Sequence, residues 1–126
     1  MKATVGDVVL LEMPQTAGRS SKLRPALVLA RLPGPYQTWL VCGISTQTEG
    51  LVDRWDEVLE AQQPWFAATG LHRPSAVRLS FLSAVDEPTI TGRIGVVPQS
   101  VVNRQRRRLA SLLTGSGLSP AGVPRS

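Results

Sequence analysis

The apolar residues of this chain come in short runs, and until residue 98 each run is broken before it is long enough for a helix. "DVVLLE" (7–12), "PALVLA" (25–30), "TWLVCGIS" (38–45), "AVRLSFL" (76–82) and "TITGRIGVV" (89–97) are six to nine residues each. Strands in folded domains have this length, whereas helices that bury a face need ten or more residues. Turn residues separate the runs at intervals of about eight to twelve. From Pro98 the period changes: Val101, Val102, Leu109, Leu112 and Leu113 form one helical stripe. Pro98 suits the first turn and Gly115 a stop, so the spacing predicts one helix over 98–113. The expected fold class is therefore mainly β with a C-terminal helix, a small, strongly bent sheet or barrel capped by that helix.

Individual runs carry further expectations. "PALVLA" is continuously apolar, which predicts a strand covered on both faces, with Pro25 fitting only as its first residue because it has no N–H for the ladder. "AVRLSFL" alternates, so Val77, Leu79 and Phe81 are expected on one face and Ala76, Arg78 and Ser80 on the other. "TITGRIGVV" gives one or two strands broken at Gly92 and Gly95. "WDEVLE" (55–60) is too short for its period to decide between strand and helix. "MPQTAGRSSKL" (13–23) reads as a loop. Trp39 is expected in the core. Trp65 and Phe66, in the loop "QQPWFAATG", are expected under that loop rather than stacked on a ligand. Arg104, Arg107 and Arg108 fall off the helical stripe, with Arg106 near its edge. Residues 1–114 form one expected domain, and 115–126 lack the apolar content to fold and read as a tail.

Composition removes several classes of function. With 126 residues the chain supports one core. No apolar run approaches the ~18–20 residues of a membrane span. The N-terminus is a poor signal peptide because Glu12 interrupts its short apolar run, so the cytoplasm is the expected compartment. One cysteine, Cys42, excludes an internal disulfide, and with a single histidine, His72, it leaves no ligand set for structural zinc. Phosphate-binding loops and the Gly-x-Ser-x-Gly motif are absent, and one imidazole cannot run two-histidine acid–base chemistry. Any catalysis must use arginines, hydroxyls and backbone groups.

Charge points the same way. The net charge is +5, and five of the nine acids (Glu49, Asp53, Asp56, Glu57, Glu60) lie between residues 49 and 60, leaving the remainder strongly positive. Such a surface suits a polyanionic or acidic partner. Arg24 stands at the mouth of an apolar strand, with Arg19, Lys22 and Arg31 nearby. Taken alone, Arg24 reads as a solvated cation before a strand, and Ser45-Thr46-Gln47 as the start of a turn.

In order and spacing, "GDVVLLE", "KLRPALVL", "VCGISTQ", "GLHRPSAVRLSFLSAVD" and "GRIGVVPQSVVNRQRRRLASLL" resemble the MazF/PemK family of toxins from type II toxin–antitoxin pairs. An Arg-Pro before an apolar run is common; five such pieces in sequence, spanning residues 5 to 113, are specific. The resemblance implies an SH3-like barrel, homodimerisation and metal-independent cleavage of single-stranded RNA with no cofactor. It also implies a cognate antitoxin with an acidic disordered segment, any DNA contact coming only through that antitoxin, and no membrane partner.

By the same resemblance Arg24 and Ser45 occupy the catalytic positions, Ser45 replacing the usual Thr. Arg19, Lys22, Thr46, Gln47, Arg78 and Ser80 are the expected RNA-binding or supporting residues. Two departures stand out. An Arg–x–Asp found in some members reads Arg78-Leu79-Ser80 here, so that Asp is missing, and a His in the first long loop of some members is Arg19. The general base is thereby unassigned, and a binding module without turnover is the alternative function. Arg78 retains two readings, facing the substrate groove or pairing with Asp86 or an acid of the 49–60 cluster. His72 is expected to be exposed.

Overall fold

A computed structural model describes residues 2–13 and 22–115. Six strands form one antiparallel sheet: β1 Asp7–Met13, β2 Lys22–Arg31, β3 Thr38–Ser45, β4 Glu57–Leu59, β5 Ser75–Asp86 and β6 Ile90–Val96, in the order β4-β5-β3-β2-β1-β6. The helix α1 spans Gln99–Thr114, directly after Pro98, and ends at Gly115 with φ 69°. A 3-10 turn, Phe66–Thr69, lies between β4 and β5.

The central strands are buried on both faces, which is why their sequences do not alternate. Val8, Leu27, Leu29, Cys42, Ile44, Val77 and Leu79 pack under Val101, Val102 and Leu109 of α1. Val9, Leu11, Ala26, Val28, Val41, Trp39 and Ile90 form a second layer on the opposite face, closed by Ala3. Phe66 is buried and Trp65 packs partly against the first layer. Among the described residues no helix is long and apolar enough to cross a membrane.

Three expectations need correction. Pro25 lies inside β2, paired with Leu10, rather than at its start. The β2–β3 pairing has already stopped at Ala26–Gly43, so on that side no partner requires a donor from Pro25. Phe81 does not join Val77 and Leu79: it is 48 % exposed. The β3–β5 register slips between Cys42–Leu82 and Gly43–Arg78, and this bulge breaks the period of two. Phe81 instead rests on Gly43, where an added Cβ would lie 3.3 Å from Phe81 Cβ.

The third correction concerns α1. Leu112 and Leu113 are exposed, at 49 % and 75 %, and the buried stripe is Val101, Val102, Gln105 and Leu109. Arg104 and Arg108 turn toward the sheet, onto Glu57 of β4, while Arg106 and Arg107 face solvent. The segment expected to give one or two strands holds one, β6, whose pairing with β1 shifts near Gly92 and Gly95.

Candidate functional site

Where β2 and β3 diverge, the chain leaves a cleft of about 350 Å³. Its apolar floor is Leu10, Pro25, Ile44 and Ile94, and its polar edge is Arg24, Ser45, Thr46, His72 and Arg73. A cleft of this volume is at the lower end of the range for small-ligand sites.

Arg24 and Ser45 line the same cleft, each two residues beyond the last positions at which β2 and β3 pair with each other. The last pair between the two strands on this side is Ala26 with Gly43. Arg24 is exposed, and among the described residues no carboxylate is ion-paired to it. Its guanidinium is available to an external anion in the planar, two-pronged geometry that suits phosphate. Ser45 Oγ accepts a hydrogen bond from Gln47 N at 3.1 Å, which orients the hydroxyl and leaves its own proton to donate.

The opposite wall, residues 70–73, is held from below. Thr69 is fully buried; its Oγ1 donates to Phe66 O at 2.7 Å and accepts from Leu71 N at 3.2 Å. Gly70 has φ 74°, and a Cβ there would overlap the carbonyl of Ile94 on β6. Gly95 approaches the same turn, where a Cβ would overlap the backbone of Ala68 and Thr69. These two glycines let the 3-10 turn lie directly on β6. At the far end, Ser75 Oγ donates to Arg73 O at 2.9 Å.

Among the described residues no three His, Cys, Asp or Glu side chains converge as a metal site. Cys42 is buried, and burial, with a smaller contribution from the Asp56 charge, pushes its thiol up to about 12, far from thiolate chemistry at neutral pH.

The PemK-like, MazF-like toxin of type II toxin–antitoxin systems is the family whose model matches residues 4–113, nearly the whole chain. The chain belongs to that family. Two solved structures show the same fold. A chain of the MazE–MazF crystal structure (Form-II) from Deinococcus radiodurans superposes with a TM-score of 0.66 at 23 % identity, covering 89 % of this chain and 96 % of that one. Mycobacterium tuberculosis toxin MazF-mt6 gives 0.62 at 18 % identity, covering 86 % and 96 %. No curated protein matches significantly.

In this PemK-like chain the structure gathers Arg24, Ser45 and Thr46 at one cleft. Lys22 is exposed two residues before Arg24 on β2, outside the cleft lining, and Gln47 touches the site through its backbone N–H. Arg19 lies outside the described residues. Arg78 and Ser80 are engaged elsewhere. Arg78 Nε is 3.5 Å from Asp56 Oδ2, an acid of the 49–60 cluster, and its guanidinium lies 4.8 Å from the Phe81 ring centroid. Ser80 Oγ accepts the Trp55 indole N–H at 2.7 Å.

Sequence reasoning passed over Arg73 and gave His72 little weight. A signal was present: "HRPSAV" repeats the Arg-Pro-then-strand pattern of "LRPALV". The arginines of the two Arg-Pro steps, one inside β2 and one just before β5, line the same cleft.

Proposed function

We propose that this toxin-family protein is a metal-independent endoribonuclease that cuts single-stranded RNA, leaving a 2′,3′-cyclic phosphate and a 5′-hydroxyl. The observation that carries this reading is one cleft lined by both the Ser45 hydroxyl and Arg24, which among the described residues has no carboxylate ion-paired to it. Attack of a ribose 2′-oxygen on its own phosphate builds negative charge on five-coordinate phosphorus. Arg24 meets that charge with two donors whose strand holds them in place, and Ser45 adds a third. Preorganised donors of this kind typically contribute ~100–1000-fold each. Among the described residues the polar lining of the cleft consists of cations, hydroxyls and one imidazole.

Unrestrained cleavage of messenger RNA stops translation and growth, the behaviour expected of a toxin. Its partner is then an antitoxin whose acidic, disordered segment orders itself on the basic surface around Arg24. The family membership, the MazE–MazF neighbour and the net charge of +5 support that partner. A homodimer of the chain in the cytoplasm completes the reading.

Purified protein should cut single-stranded RNA in excess EDTA, and a 2′-deoxyribose at the scissile position should block the cut. Arg24→Ala should slow it ~100-fold or more without unfolding the protein. Intact RNA after incubation with folded wild-type protein rejects the nuclease; antitoxin binding alone would then mark a binding module.

A further inference from the structure

We infer that His72 is the general base that removes the 2′-hydroxyl proton, an assignment that rests on the nuclease reading above. The 2′-oxygen must lose a proton to become a nucleophile, so some group at the cleft has to accept one near neutral pH. Arg24 and Arg73 cannot, because a guanidinium stays protonated at every working pH. Ser45 Oγ already accepts the Gln47 N–H, and Ser75 is buried with its hydroxyl donated to Arg73 O. Alcohols such as these and Thr46 are in any case weak bases. The floor is hydrocarbon.

That leaves His72, exposed on the wall opposite the β2–β3 mouth and lining the same cleft as Arg24 and Ser45. Residues 14–21 and 116–126 contain no Asp, Glu or His. His72 is the only imidazole in the chain, so any limb it imposes on a pH profile has one source.

The placement of His72 is built rather than incidental. Gly70 and Gly95 allow the wall to sit on β6, and Thr69 ties it from beneath, so the imidazole is carried two residues beyond a fixed point. Among the described residues the charged groups that share its cleft are Arg73 on its own loop and Arg24 from β2. Among the described residues β1 contributes Leu10, β3 and the residue after it Ile44, Ser45 and Thr46, and β6 Ile94.

The step balances without a further reactant except water. Neutral imidazole takes the 2′-O–H proton as the 2′-oxygen–phosphorus bond forms and the phosphorus–5′-oxygen bond breaks. The departing 5′-oxygen receives a proton from water through the Ser45 hydroxyl, and the imidazolium returns its proton to solvent. This division explains how the site works without the Asp of the Arg–x–Asp pattern.

Cleavage of one single-stranded RNA by wild type, His72→Ala and His72→Gln, from pH 5 to 9 and with thermal unfolding as a folding control, tests it. For wild type, kcat should rise with increasing pH and level off. Both variants should lose ~100-fold or more in kcat with little change in KM, and should lose that rising limb. Added imidazole should restore part of the His72→Ala rate. Variants within a few-fold of wild type, or variants that keep the limb, overturn the role of His72 while the nuclease reading stands. Absence of cleavage by wild type overturns both.

Discussion

Arg104 holds Glu57 with both arms of its guanidinium: Nε donates to Oε1 at 2.8 Å and Nη2 to Oε2 at 2.7 Å. Gln105 Nε2 donates to the same Oε1 at 2.7 Å, and Arg108 Nη1 reaches it at 3.4 Å. One carboxylate on the edge strand β4 thus fastens three side chains from two successive turns of α1. Through β4 it also anchors the chain that runs on into the cleft wall.

The first consequence is a dependence of stability on acid. Burial alone would raise the Glu57 carboxyl, but the Arg104 hydrogen bond and charge, then Arg108 and Gln105, outweigh it and hold the group below its ordinary value. A carboxyl depressed in the folded state adds stability that is complete above the unfolded value, about 4.3. The contribution drains away as pH falls from there through the lower folded value. Glu57→Gln should cost about 2 kcal/mol at neutral pH and flatten the loss below about pH 4.3. Urea unfolding at a series of pH values measures both, and parallel curves for variant and wild type would refute the assignment.

A second expectation concerns the seam between the 3-10 turn and β6. A Cβ on Gly95 would meet the backbone of Ala68 and Thr69, which cannot rotate away as a flexible side chain would. Gly95→Ala should therefore destabilise by about 1–3 kcal/mol. Because the turn carries His72 and Arg73, it should also lower RNA cleavage at temperatures where the variant is still folded. Gly92→Ala is the control, since nothing lies within 4 Å of its added Cβ. Equal effects at the two glycines would contradict the close approach.

What the sequence disclosed and what it hid divide along one physical line. β3 was legible to the residue, Thr38–Ser45, because a doubly buried strand announces itself as an unbroken apolar run. Locally Arg24 and Ser45 read as a solvated cation and a turn start, and only the resemblance to the toxin family singled them out. Phe81 was misread because alternation assumes an unbroken register, and the bulge opposite Cys42–Gly43 depends on a partner strand some forty residues away. Leu112 and Leu113 were misread because helical period says which residues share a face, not how far the sheet beneath extends. The grip of Arg104 on Glu57 spans 47 residues, and no local pattern encodes it. His72 and Arg73 needed the same long-range information, since only the fold brings their loop against β2 and β3.

Arg78 separates a supporting role from a substrate role. Its partner Asp56 has a side chain only 2 % exposed; Oδ2 accepts Val52 N at 2.9 Å, and Oδ1 is buried without a hydrogen-bond partner. Arg78→Ala strands that carboxylate, which should cost about 3–5 kcal/mol. The same substitution in an Asp56→Asn background should cost much less. Cleavage per folded molecule should change little in either. A stable Arg78→Ala protein with lost cleavage would instead place the guanidinium on RNA.

Ser45 offers the sharpest division between a turn residue and a reacting one. Its Oγ receives only the exposed Gln47 N–H, a bond that solvent can replace, so Ser45→Ala should unfold at nearly the wild-type temperature. Its rate should nonetheless fall ~100-fold, the loss of one donor to the developing charge. Ser45→Thr keeps the hydroxyl, and a β-branched residue suits the last position of β3, so it should cleave within several-fold of wild type. The pattern across the three proteins carries the inference, because stability is held constant while the hydroxyl is removed and restored. Wild-type turnover by Ser45→Ala would reduce this serine to the turn starter that its local sequence suggests.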